Sequence, residues 1–298
     1  MINELERRFG TSFYLNYHSS LPNTIKWYTT PAGEMFGIDT ASVDDQDISL
    51  LDIILEKTEI QPVQLNEREQ QWLNYLTHAD ENEPQFNTDY FRFIHFSTSH
   101  EIENTNELND IFLHSFSDHQ IIIIWKSNQE GLIVEFFNDL PIETDDFEEL
   151  SAALTADFFI NVHFFVGAKL SKITTARQQY GWEEKCFSVM KDLSTSQHVS
   201  YYHQATPYLL LEHVPIEALQ KISSQLIKEV NLDKELIKTI QVYFKNNLNT
   251  TLAAKELFMH RNTLQYRIDK FIEKTGIDIK HFDQAVSVYI ALIIYQTL

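Results

Sequence analysis

Between residues 89 and 193 the apolar positions follow two rhythms. "DYFRFIHF", "LIVEFF" and "INVHFFVGA" are strand-length runs rich in aromatic and β-branched residues. "HQIIIIWK" adds Ile121 to Ile124, a run too short for a membrane span and suited to a strand buried on both sides. The stretches "ELNDIFLHSF", "DDFEELSAALTADF" and "KITTARQQYGWEEKCFSVM" carry helical spacing instead. The order β, α, β, β, α, β predicts a ferredoxin-like sheet with helices on one face, within a domain placed at residues 86–205.

Upstream, "SFYLNY", "TIKWYTT" and "EMFGID" are short β-prone pieces broken by Pro22, Pro31 and Gly33, and "DDQDISLLDIILEK" reads as a helix opened by Asp N-caps. "NEREQQWLNYLTHADENEPQ" begins as a helix and ends in a charged, proline-containing stretch that marks a boundary. Residues 1–85 are therefore expected to form a small mixed α/β domain. Residues 206–232 form a connector containing "VPIEALQKISSQLIKEV", whose Ile216, Leu219, Ile222, Leu226, Ile227 and Val230 make one apolar stripe. That stripe suits a link between domains, a second subunit, or packing within the chain.

Residues 233–298 predict an all-helical domain of four helices. The first buries Leu236, Ile240, Tyr243 and Phe244; Thr250 caps "TLAAKELF"; a third helix starts at "HRNTLQYRIDKF" and stops at Gly276; the last, "DQAVSVYIALIIYQTL", is apolar nearly all round and too short to span a bilayer. A short helix carrying Ala253 and Ala254, a tight turn and a longer helix make a helix-turn-helix, in which small residues permit close crossing. On the third helix, steps of about 100° per residue place Ile268 and Phe271 beside Leu264, facing the core. Asn262, Gln265, Tyr266 and Asp269 fall opposite, with Arg261 and Arg267 flanking the stripe. Amide side chains there present a donor and an acceptor together to adenine, and arginines reach phosphate or guanine. Free N–H groups near Arg261 and Asn262 favour a phosphate. Asp269 limits base contact to the first two turns.

The net charge of −20 argues against nucleic acid, but its distribution does not. Residues 233–298 hold nine Lys or Arg against seven Asp or Glu, while residues 1–232 hold 14 against 36. An acidic front repels DNA wherever the tail does not touch it and also serves solubility. With 298 residues, 43% of them hydrophobic, the chain has enough apolar material for two or three cores. The N-terminus lacks a signal pattern and no run reaches the ~18 apolar residues of a span, so a cytoplasmic protein is expected.

Taken together, "LIKTIQVYFKNNLNTTLAAKELFMHRNTLQYRIDKFIEKTGIDI" and "VSVYIALIIYQTL" resemble the C-terminal helix-turn-helix of the sugar-diacid and purine-catabolism transcriptional regulators, the CdaR/PucR family. His260 to Ile268 is the most specific part. Residues 89–205 resemble the degenerate GGDEF-like domain that precedes this helix-turn-helix in the family, and "YYHQATPYLLLEHVP" resembles its connector. The hairpin tip where an active GGDEF domain carries its signature reads Ser127, Asn128, Gln129, Glu130, Gly131, without the phosphate-contacting glycines or the acidic pair that binds metal. The resemblance therefore implies regulation rather than nucleotide chemistry. For residues 1–85 the resemblance supplies no sensor domain, so no effector carries over.

No chemistry competes with this reading. The histidines lie on different predicted elements without HExxH or CxxC spacing, neither GxSxG nor GxxxxGK[ST] occurs, and Cys186 is alone. Asp145, Asp146, Glu148 and Glu149 sit at a predicted helix start, where acidic residues complement the dipole. The expectation is an α+β, non-enzymatic regulator without cofactor, metal or membrane attachment. It binds double-stranded DNA as a homodimer through Thr250, His260, Arg261, Asn262, Thr263, Gln265, Tyr266 and Arg267, under an unknown small-molecule effector. The alternatives are an assembly protein that makes no DNA contact and a nucleotide sensor using the middle domain.

Overall fold

Asp44, Asn66, Asn104, Asp233, Asn249 and His260 each turn a side-chain acceptor onto a backbone N–H of the helix that follows. These caps satisfy donors that the first helical turn leaves unpaired, and they fix where the helices begin. The computed structural model describes residues 2–14, 24–30, 35–58, 65–193, 198–228, 230 and 233–297. In chain order the elements are α1 (Ile2–Phe9), β1 (Phe13–Tyr14), β2 (Ile25–Thr29), β3 (Met35–Asp39), α2 (Asp45–Ile54), β4 (Glu56–Thr58), α3 (Glu67–Leu76), β5 (Tyr90–Thr98), α4 (Thr105–Ser115), β6 (Gln120–Trp125), β7 (Glu130–Phe137), α5 (Thr144–Phe158), β8 (Val162–Val166), α6 (Ala176–Leu193), β9 (Val199–Tyr201), α7 (Thr206–Leu211), α8 (Ile216–Ile227), α9 (Lys234–Lys245), α10 (Thr250–Glu256), α11 (Arg261–Thr275) and α12 (Phe282–Thr297). The fold is α+β, and the chain divides into two compact units, residues 1–203 and 204–298. Among the described residues, no helix is long and apolar enough to cross a membrane.

The first unit holds two sheets. The smaller, in the order β1-β3-β2-β4, buries Tyr28, Phe36 and Ile38 against Ile48 and Leu51 of α2. The end of the expected helix "DDQDISLLDIILEK" is strand β4, which pairs with β2. Pro22, Pro31 and Gly33, the expected breaks, lie outside the described residues.

The larger sheet runs β6-β7-β5-β8-β9, antiparallel except for β8 with β9. Its faces sort by strand alternation. Ile94, Phe96, Ile123 and Phe164 point to one side, under Leu108 and Phe112 of α4 and Phe147 and Leu150 of α5. Phe91, Phe93, Ile122 and Ile124 point to the other, under Trp72, Leu73 and Leu76 of α3 and Ala176 and Tyr180 of α6. The isoleucine run is buried on both sides as its composition predicts, but the expectation of helices on one face is corrected: both faces are covered. The reason is α3 and α6, whose apolar residues share the second face of the sheet. The charged stretch after it is not a gap between cores, because Arg177 of α6 donates to the carbonyls of Tyr75 and Asp80 and pairs with Glu81.

Two groups of buried polar side chains on this sheet are paired with one another. On one face Arg92 bonds Glu135 at 2.5 Å, and each also bonds the backbone of Ile142. On the other, Glu184 of α6 accepts from Lys126 at 2.6 Å and meets His95 Nδ1 at 3.0 Å. The tip between β6 and β7 is stitched down: the Asn128 carbonyl accepts from Ile102, Gln129 pairs with the Thr98 backbone, and Glu130 bonds Lys191.

Candidate nucleic-acid interface

In the second unit, α9 contributes Leu236 and Ile240, α10 contributes Ala253 and Ala254, α11 contributes Leu264, Ile268 and Phe271, and α12 contributes Val288, Ala291 and Leu292 to one core. The three core residues of α11 are those its periodicity predicts. Phe244 is only partly buried. In α8, Val230 just beyond the helix is buried, whereas Ile216 and Ile222 on the same predicted stripe are exposed.

The turn into α11 is a complete Schellman closure of α10. Met259 N–H bonds the Ala254 carbonyl at 2.9 Å and Phe258 N–H bonds the Lys255 carbonyl at 3.1 Å, with Phe258 left-handed at φ 51°. His260 then caps α11, its Nδ1 accepting from Asn262 N–H at 3.2 Å. Nδ1 must be unprotonated to accept, so the ring proton of the neutral imidazole sits on Nε2. The free N–H pair expected at this helix start is thereby reduced: Asn262 N–H is engaged by His260. Gly276, left-handed at φ 71°, ends α11.

The resulting arrangement exposes Arg261, Asn262 and Thr263 in consecutive positions, with Tyr266 one turn on and 68% exposed. Among the described residues, no hydrogen bond or ion pair occupies the side chains of these four. A cation, an amide and a hydroxyl at one helix start, backed by a closed core, match the needs of base-edge and phosphate contact.

Comparison with known proteins fits this geometry. Residues 236–294, from α9 into α12, match the PucR C-terminal helix-turn-helix domain. Over 226 residues, 74% of this chain and 73% of the relative, the sequence is 35% identical to the uncharacterized protein YxkF of Bacillus subtilis (strain 168). It is also 40% identical over 67 residues to the proline-responsive transcriptional activator PutR of the same strain, covering 22% of this chain and 16% of PutR. The carbohydrate diacid regulator of Escherichia coli (strain K12) is 36% identical over 66 residues, covering 22% of this chain and 17% of that protein. The chain belongs to the CdaR/PucR family of transcriptional regulators. It is a DNA-binding regulator and not an enzyme.

Not every residue that the sequence assigned to DNA is presented equally by this CdaR/PucR chain. Arg267, placed by the helical wheel at the edge of the stripe, turns inward: Nη1 donates to Thr239 Oγ1 at 2.9 Å and lies 3.6 Å from Glu235. Gln265 is half-buried and spends its amide N–H on Asp269 at 3.0 Å. Asp269 is also paired with Lys280 at 2.8 Å, and these bonds hold its carboxyl below the usual carboxylate range. Its charge on the outer face is therefore largely offset. Thr250 is the first residue of α10 rather than its cap. Asn249 is the cap, accepting from Thr251 and Leu252 N–H at 2.9 and 3.1 Å, because left-handed Asn247 and Leu248 end α9 and bring Asn249 into the extended conformation. Within α11 the best-presented groups are thus in the first turn and a half.

Proposed function

We propose that the chain reads operator DNA as a homodimer, each copy placing the start of α11 in the major groove, under control of a small-molecule effector sensed by the first unit. The observation that carries the reading is the unpaired, exposed set Arg261, Asn262, Thr263 and Tyr266 at the start of a helix whose opposite face is locked into the core. Arg261 takes a phosphate or guanine, and Asn262 reads an adenine edge. His260 and Thr250 stand at the two helix starts, His260 as cap. One reading helix makes few base contacts, and two half-sites about one helical turn apart supply the affinity that one lacks. The first unit has 12 Lys or Arg against 33 Asp or Glu, a balance that phosphate repels and that suits sensing and assembly rather than DNA contact. Its larger sheet serves as a GGDEF-like regulatory domain.

The test is fluorescence anisotropy of the full chain on DNA upstream of its own and neighbouring genes across a salt series, with Arg261→Ala and Asn262→Ala alongside. One fragment should bind far more tightly than random DNA. Arg261→Ala should lower affinity with a shallower salt slope, and Asn262→Ala should erase the preference among fragments. Equal weak binding to all fragments by all three proteins, with and without metabolite extract, would leave α9 to α12 as an assembly module.

A further inference from the structure

We infer that Phe258, in the turn between α10 and α11, is a DNA-contacting residue that packs its ring on the apolar surface of the duplex beside the groove entered by α11. This inference rests on the reading of α11 given above. Three observations carry it. First, Phe258 is 98% exposed, so among the described residues of its own unit nothing covers the phenyl ring. Second, its backbone is left-handed at φ 51°, the conformation bulky residues avoid and glycine favours at this position of a Schellman turn. The other turns of the same unit resolve that problem differently. Asn247 and Gly276 are residues that tolerate the conformation, and Leu248, at φ 61°, packs against the core. Among the described residues of this unit, Phe258 alone combines a left-handed backbone, a large apolar side chain and no burial. Phe159, at φ 58° and 82% exposed, has the same combination in the first unit, but no DNA-reading side chains lie beside it in sequence.

Third, position commits the ring to one partner. Phe258 is three residues before Arg261, so their Cα atoms are separated by at most about 11 Å. A helix that puts Arg261 and Asn262 against base edges must bring residue 258 to the rim of the groove. The apolar groups available there are deoxyribose carbons and the thymine methyl. A flat aromatic ring held out on a rigid, doubly hydrogen-bonded turn reaches them without ordering cost, which a flexible loop would incur.

The experiment enriches a binding site from a random duplex pool with the full chain, then measures Phe258→Gly, Phe258→Asn and Phe258→Tyr on that site. Gly and Asn keep the left-handed turn while removing the ring. Both should weaken binding at least fivefold with an unchanged salt slope, because no phosphate contact is lost, and with a melting temperature no lower than that of the parent. Phe258→Tyr should stay within twofold. Replacing thymine by uracil in the duplex separates the two apolar partners. A loss in the parent that is absent in Phe258→Gly assigns the methyl, and indifference assigns the sugar. A loss under fivefold in both ring-less variants, while Arg261→Ala abolishes binding, overturns the inference. So does a smaller species of Phe258→Gly on size exclusion, which would give the ring to a second copy of the chain. A parent that enriches no site overturns the reading of α11 and this inference with it.

Discussion

Arg267 and Thr239 join α11 to α9, the guanidinium donating to a fully buried hydroxyl that itself donates to the Glu235 carbonyl at 2.7 Å. Arg267→Ala should therefore act on the fold. It leaves the Thr239 oxygen without its charged donor, a loss of about 1 to 2 kcal/mol. Thr239→Val should abolish most of that increment in a double-mutant cycle read by urea unfolding. The salt slope of DNA binding should stay as in the parent. A slope shallower by about one unit with unchanged stability would return Arg267 to the phosphate-contacting set.

Capping gives a second expectation. Asn249→Ala should destabilise the second unit by about 1 kcal/mol, since Thr251 and Leu252 N–H both lose their acceptor, whereas Thr250→Ala should cost less than half of that. Comparison of the two melting temperatures decides which residue is the cap.

In the first unit, Gly167 leaves room for Glu183. A Cβ at position 167 would collide with that fully buried carboxylate, which is held by Ala168 N–H and Gln179 Nε2, each at 2.7 Å. Gly167→Ala should cost about 2 to 3 kcal/mol and lower the unfolding midpoint of this unit while leaving that of the second unchanged. Calorimetry of the full chain, in which two transitions are expected, measures both.

Two histidines on the same sheet give opposite pH dependences. Burial, with help from His198, pushes His163 down to about 4. The unfolded chain takes up this proton near pH 6.5 and the folded one does not, so stability falls as pH drops from about 6.5 towards 4. Burial also disfavours the charged form of His95, but Glu183 and Glu184 outweigh it and raise its pKa. Its contribution is complete below about pH 6.5 and is lost only at higher pH. Glu184 is burdened by burial but held low by Lys126 and His95, and it matters below about pH 4.5. Of these three groups, His163 is the one that lowers the melting temperature between pH 6.5 and 5. His163→Gln should flatten it; an unchanged decline would show that the imidazole is solvated.

Much of this was legible in the sequence because it depends on neighbours along the chain. The two-faced strand Ile121 to Ile124, the core stripe of Leu264, Ile268 and Phe271, and Gly276 as a stop all follow from periodicity or local backbone demands. The misses came from partners distant in sequence. Nothing around Arg267 reveals Thr239, 28 positions away. Trp72 and Leu73 show a stripe but not the sheet it covers, and strand β9 is three residues paired with the distant strand β8. Asn249 and Thr250 are both good caps, and the choice was made by the left-handed pair before them.

The two faces of the larger sheet differ in how far the chain must travel to close them. The face under α4 and α5 draws its fully buried aromatic residues from Phe96 to Phe164, each helix lying between strands it covers. The opposite face needs α3, which precedes the first strand, and α6, which follows β8. Longer loop closure slows the second. Trp125 lies in the first cluster and Trp72 in the second, so refolding carries its own pair of optical clocks. Trp125 should lose solvent before Trp72, and a chain caught between the two events would show water a sheet half covered, with Phe91, Phe93, Ile122 and Ile124 as its sticky side.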